Sequence, residues 1–262
     1  MSTESSVAIR PQTDVAVSDL SQWDVGTQTL GQDVLLSKIL PMQGMSQLVT
    51  DGKATVGEFR DSVTGEKLGS IIEPIEVIPF HVEKLWDVLK EVSENGQKRF
   101  VYSRSEPLIE DPRHKEYNDN LPWDGAEDGT PIKRIRRMNY YVLFPKEVEN
   151  GNSLPFIMSF KSTSFREGKK LFTQMYVRNA RAAMPPPAYT FKIGGIKAKN
   201  QAGQMYIVPT VELGRKSTPK EIAECLEWYK TIKGKKPGVT VTIDDSDLST
   251  GEAATSQDTG EF

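Results

Sequence analysis

Apolar and polar residues alternate most regularly in the middle of the chain, and helical spacing brackets that region. "RIRRMNYYVLFP" (134–145) and "LPFIMSF" (154–160) read as strands joined by a Glu-Asn-Gly-Asn turn. "GEFRDSVTGEKLGSIIEPIEVIPF" (57–80) reads as a hairpin turning at Thr64-Gly65, with Pro74 arguing against a central strand. In "HVEKLWDVLKEVSE" (81–94), Val82, Leu85, Trp86, Leu89 and Val92 fall at helical spacing and Asn95-Gly96 supplies a stop, so a helix is expected there. "QKRFVYSRS" (97–105) alternates as a strand. Residues 106–131 form a long polar stretch rich in Pro, Asp and Gly, a loop of a length that usually has a function or moves.

The second half repeats the two periods. A helix is expected over 162–183, where Phe165, Phe172, Met175, Tyr176 and Asn179 share a face and Ser164 and Glu167 have capping-box spacing. Gly168 weakens that helix by about 1 kcal/mol relative to Ala. "MPPPAYTFKIGGIK" and "QMYIVPTVELG" read as two strands around a turn at 198–203. The last helix, 217–233, starts with Thr218 as cap, Pro219 at its first position and Glu221 closing the box. Its apolar face is Ile222, Cys225, Leu226, Tyr229 and Ile232. The ordered part starts near "LLSKILPMQGMS" (35–46). The expected class is mainly β with α. Strands, a helix, then further strands fit an OB-like five-stranded barrel with inserted and flanking helices. Three regions follow: a flexible arm over 1–30, one domain over 31–237 and an acidic tail over 238–262.

A hydrophobic content of 37% over 262 residues is low, which places part of the deficit in the two ends. No apolar run approaches the ~18 residues of a membrane span, so no membrane partner is expected. The N-terminus lacks the basic start and apolar block of a signal peptide, and an intracellular protein is the natural reading. Cys225 is the only cysteine; with His81 and His114 as the only histidines, a Cys/His zinc site is not expected.

Charge changes the picture more. Residues 1–30 sum to −3 and residues 238–262 to −6, whereas 31–237 sum to +6. A basic body between acidic ends suggests an anionic partner for the body. Residues 160–199 hold nine bases (Lys161, Arg166, Lys169, Lys170, Arg178, Arg181, Lys192, Lys197, Lys199) and a single acid, Glu167. Upstream, Lys133, Arg134, Arg136 and Arg137 precede Tyr140 and Tyr141. Alternation places Arg134, Arg136, Met138 and Tyr140 on one strand face and Ile135, Arg137, Asn139 and Tyr141 on the other. Cations that neutralise phosphates beside rings that stack on bases are the ingredients of a single-strand binder. Tyr140, Tyr141, Tyr176 and Tyr189 are the candidates for stacking; Phe160, Phe172, Phe191 and Met175 read as core.

Enzyme chemistry finds little support. The chain has no phosphate-binding Gly-Lys loop, no Gly-x-Ser-x-Gly and no His-Glu-x-x-His. "EDPRHKEYNDN" sets His114 near Asp111, Glu116 and Asp119, but within a Pro-rich polar loop. "WDGAEDGT" (123–130) lacks the calcium-loop frame and reads as turns. A non-enzyme without cofactor or metal is expected.

The chain ends "QDTGEF", so a solvated acidic stretch finishes on Phe262. Basic, aromatic-bearing strands followed by such a tail resemble the single-stranded DNA-binding proteins of bacteriophages and bacteria. The resemblance implies an OB-fold that coats single-stranded DNA during phage replication or recombination, in the cytoplasm of the infected host. It also implies that Asp258, Glu261 and Phe262 recruit replication or recombination proteins. The chain departs from the bacterial pattern in its dispersed acids, in the absence of proline before Phe262 and in its larger body. A non-catalytic phage structural or assembly protein and a strand-annealing recombination protein are the alternatives, and homo-oligomer formation is left open.

Overall fold

Residues 81–94 do not form the expected helix; they are the second half of a strand. A computed structural model of the chain describes residues 36–94, 97–107, 124–127, 130–199, 203 and 205–233. In it β4 (Ile75–Glu94) runs for 20 residues. It pairs antiparallel with β7 (Thr130–Leu143) from Ile78↔Leu143 to Lys90↔Ile132. Its opposite edge pairs with β9 (Tyr189–Lys199) at Ile75–Val77 and with β5 (Gln97–Pro107) from Leu85 to Glu94.

Two periods coexist in this segment. Val82, Lys84, Trp86, Val88 and Lys90 alternate with Glu83, Leu85, Asp87, Leu89 and Glu91. Trp86, Asp87 and Val88 are consecutive and all buried, which requires cover on two opposite faces. A helix with one apolar stripe cannot bury three residues in a row, whereas a doubly paired strand can. Tertiary pairing therefore overrides helix propensities that differ by at most about 0.7 kcal/mol per ordinary residue. Pro79 sits where the β4–β7 register shifts, a position that tolerates a residue without an N–H.

The remaining strands are β1 (Lys38–Pro41), β2 (Glu58–Asp61), β3 (Lys67–Ser70), β6 (Asp124–Glu127), β8 (Phe156–Lys161) and β10 (Met205–Lys216). The hairpin predicted at Thr64-Gly65 is β2–β3, with Gly65 at φ 71°. Strand β6 falls within the stretch expected to be loop. Among the described residues the sheet has ten strands in the order β10-β9-β4-β7-β8-β1-β2-β3, with β5 on β4 and β6 on β7. The expected five-stranded OB-like barrel is not what forms. The path ends at β10 and β3, which do not pair, so the sheet stays open; the mixed β and α class holds. Side chains meet the outer edge of β10 instead. The Gln43 amide accepts from Ile207 N–H at 2.6 Å and donates to Ile207 C=O at 3.2 Å, and the Glu167 carboxylate accepts from Val211 N–H at 3.1 Å. Pro209, between them, has no N–H to satisfy.

Helices cover the two faces. Among the described residues five segments are α-helical: α1 (Gln47–Thr50), α2 (Pro145–Asn150), α3 (Phe165–Phe172), α4 (Asn179–Arg181) and α5 (Pro219–Lys233); a π-helical segment, Thr173–Arg178, joins α3 and α4. One core holds Ile39, Phe59, Val77, Tyr140, Phe160, Leu171, Met175, Phe191 and Val211, so both ends of the sheet curl toward α3. The second core, Ile78, Phe80, Tyr141, Leu143, Ile157 and Cys225, lies under α5. The α5 cap forms as predicted: Thr218 N–H donates to the Glu221 carboxylate at 2.7 Å and Glu221 N–H to Thr218 Oγ1 at 3.2 Å. Leu226, expected on the apolar face, is 49% exposed, and Trp228 packs against the core instead.

The α3 capping box does not form. Ser164 turns back to Lys161, and Glu167 is held by β10. Gly168 explains what positions this helix: a Cβ there would meet the Phe160 Cβ at 2.8 Å. The close approach lets the Tyr140 hydroxyl donate to Gly168 C=O at 2.6 Å. Gly168→Ala should therefore destabilise the protein by about 1–3 kcal/mol through overpacking, despite the better helix former. A lower denaturation midpoint with unchanged m value checks this; an unchanged or raised midpoint contradicts it.

Candidate nucleic-acid interface

The strand block of the predicted site is engaged inside the sheet. Residues paired directly across an antiparallel ladder share a face, and β7 places Arg134 beside Val88, Arg136 beside Trp86 and Arg137 beside Leu85. Arg137 is 3% exposed; it contacts the Asp87 carboxylate at 3.1 Å and donates to Ser105 Oγ at 2.7 Å. Arg134 lies 3.7 Å from Glu106, which also takes Arg104 at 2.7 Å. Arg136 stacks over Trp86 at 5.1 Å. Lys133 is half-buried opposite Leu89 and Asp124. Arg137 is thus a core residue, and the phosphate role expected of it is withdrawn.

Tyr140 and Tyr141 are corrected for a related reason. The predicted alternation is right, but α3 covers one face of β7 and α5 the other, leaving these rings 0% and 2% exposed. Burial first, and then the Glu83 carboxylate, push the pKa of the Tyr141 hydroxyl far above the usual phenol value. Neither ring has a free face for a base. His81 lies beside Tyr141 and Tyr229, at 5.4 and 5.6 Å between ring centroids. Burial, reinforced by Lys233, holds its pKa near 4, so the imidazole is neutral at pH 7.

The helical block is different. Arg166, Lys169, Lys170, Arg178 and Arg181 are all exposed along α3, the π-helical segment and α4. The one acid among them, Glu167, is committed to Val211 N–H and to Lys170 at 3.3 Å. Basic groups lie over rings at several points: Lys169 over Phe165 at 5.2 Å, Arg178 over Tyr189 at 5.3 Å and Lys84 over Phe172 at 4.3 Å. Tyr176 is half-buried and stacks on Phe172 at 4.9 Å, with burial pushing its pKa up to about 12. Lys161 is half-buried at the end of β8. Lys192 is exposed, with Glu76 and Glu212 as its cross-strand neighbours. Lys197 and Lys199 are exposed near the far end of β9. Asp258, Glu261 and Phe262, and the His114 cluster with Asp111, Glu116 and Asp119, lie outside the described residues.

Lys84 and Phe172 were not among the predicted contact residues. Reading 81–94 with a period of two would have put Lys84 and Trp86 on the face that α3 shares. Among the described residues no group of His, Cys, Asp and Glu could hold a metal ion, and no helix is long and apolar enough to cross a membrane.

Comparison with known families adds one finding. The profile described as Pam3 phage gp34-like protein matches residues 17–237. The chain belongs to the Pam3 phage gp34-like protein family. No curated protein and no solved structure matches it significantly. Membership makes this a phage protein. The match spans every described residue, including the helical bases from Arg166 to Arg181.

Within the gp34-like fold, the Asp87–Arg137 pair separates framework from interface. Removing one partner of a buried ion pair costs about 3–5 kcal/mol, because the other charge stays buried and unpaired. Asp87→Ala should lower unfolding free energy by that amount in denaturant titration. A change below about 1 kcal/mol would show that the pair is not a framework element.

Proposed function

We propose that this chain binds single-stranded nucleic acid, DNA in the first instance, along the helical ridge from Arg166 to Arg181. One observation supports this above the others: five exposed bases on one helical segment, with the one acid of that segment already engaged. Such an array neutralises phosphates and releases counterions on binding. The reading rests on the ridge and not on the fold, since the sheet is not an OB barrel. Lys84, over the Phe172 ring, and Lys161, just before the ridge in sequence, flank it, and Tyr176 and Tyr189 keep the stacking role proposed for them.

Membership of a phage family is consistent with a protein that coats single strands during phage replication or recombination inside the host cell. In this account the acidic tail presents Asp258, Glu261 and Phe262 to a partner replication or recombination protein and leaves the ridge to DNA. The test is fluorescence titration of the full chain with dT oligomers across a salt series, against duplex of equal length. Each phosphate contact contributes about 0.7 to the log–log salt slope for single strands. Changing Arg166, Lys169, Lys170 and Arg181 to Gln should therefore flatten the slope by up to about 3 and weaken binding strongly. A chain lacking only Phe262 should titrate like the unmodified one. Equal or tighter binding of duplex, or a slope unchanged by the four substitutions, would overturn the reading and favour a structural or assembly role.

A further inference from the structure

The edge of β4 changes partners along its length. Strand β9 leaves it after Val77 and β5 joins it at Leu85, so residues 78–84 have no strand partner on that side among the described residues. At the rise of an extended strand this is a notch of roughly 20 Å. Side chains line it, and the 3-10 turn Pro186–Ala188 also packs against β4. The Tyr176 hydroxyl lies near Val82 N–H. Phe172 stacks on Tyr176, and Lys84, near the β5 end of the notch, sits 4.3 Å over the Phe172 ring. Tyr189 begins β9 two residues before Phe191, which pairs with Val77, so it stands at the other end, with Arg178 over its ring at 5.3 Å. Tyr176 and Arg178 both come from the π-helical segment Thr173–Arg178, a winding that is rare and frequent at functional sites.

The geometry points to this notch as the place where bases of a single strand stack, a claim that rests on the nucleic-acid reading above. Phe172 and Tyr189 are half-buried platforms, each now capped by a long basic side chain rather than by packed backbone. A base can take the position over the ring while the displaced Lys84 or Arg178 turns to the adjoining phosphate. The exchange swaps a cation–ring contact for a base–ring contact and a charge pair. Stacking of this kind accepts any base, so the notch confers a preference for unpaired strands without a sequence preference. A duplex keeps its bases stacked internally and has none to offer.

Two measurements on the full chain test it. An oligo-dT containing 5-iododeoxyuridine is photocrosslinked to the protein and the adducts are mapped by mass spectrometry. Crosslinks should fall on Phe172, Tyr176 or Tyr189. In parallel, the ratio of dT to heparin affinity is measured for the unmodified chain and for Phe172→Leu and Tyr189→Leu, heparin being a polyanion without bases. Each substitution keeps apolar bulk but removes the stacking face, and should lower the ratio by about tenfold. If the leucine variants misfold, Lys84→Gln should still flatten the dT salt slope by about 0.7. Crosslinks confined to other elements, with unchanged ratios, would overturn the notch while leaving the ridge reading intact. Failure of the unmodified chain to bind either polymer would overturn both.

Discussion

Everything in this fold depends on the ladder between β4 and β7. It runs from Ile78↔Leu143 to Lys90↔Ile132 and divides the molecule into two faces. On one face Tyr140, Met138 and Phe160 meet α3; on the other Ile78, Tyr141 and Leu143 meet α5. Because β4 outlasts its partner β9, its edge must be handed from one strand to another, and the gap between them is filled by rings and cations. The position of the basic ridge follows from the same ladder. The helix can descend onto it only because residue 168 is glycine, and the Tyr140 hydroxyl then bonds into the helix backbone.

Charge in this chain does two different jobs that composition alone cannot separate. Arg137, Arg134 and Arg136 look in sequence like an exposed cationic run. They are held by Asp87, Glu106 and Trp86, residues distant in sequence from the run. Among the described residues, Glu167 is the one acid within the helical run itself, and it bonds the backbone of β10 as well as Lys170. The distinction is topological: β7 has a neighbour on each side, whereas the outer face of the segment from Arg166 to Arg181 has water.

Much of this was legible from local pattern. The β2–β3 hairpin, strands β7 and β8, the helix after them and the capped α5 follow from alternation, turn chemistry and caps that act within a few residues. What was not legible depends on contacts far apart in the chain. Residues 81–94 satisfy a helical and a strand period together, and only pairing with β5 and β7 decides between them. The open sheet could not be read because closure depends on whether β10 finds β3, which no local signal reports. The core positions of Tyr140 and Tyr141 required knowing that β7 is covered on both faces. The exposed helical bases, by contrast, were visible as a run with one acid, and their exposure follows from their side of the helix.

The central claim is that nucleic acid lies along the helical segment and the adjoining notch of β4. Amide hydrogen exchange of the full chain, with and without saturating oligo-dT, tests it most directly. The account predicts slower exchange on binding in 165–189 and in 78–84, with the β2–β3 hairpin and α5 unchanged. Protection confined to those other elements, or none at saturation, would contradict it.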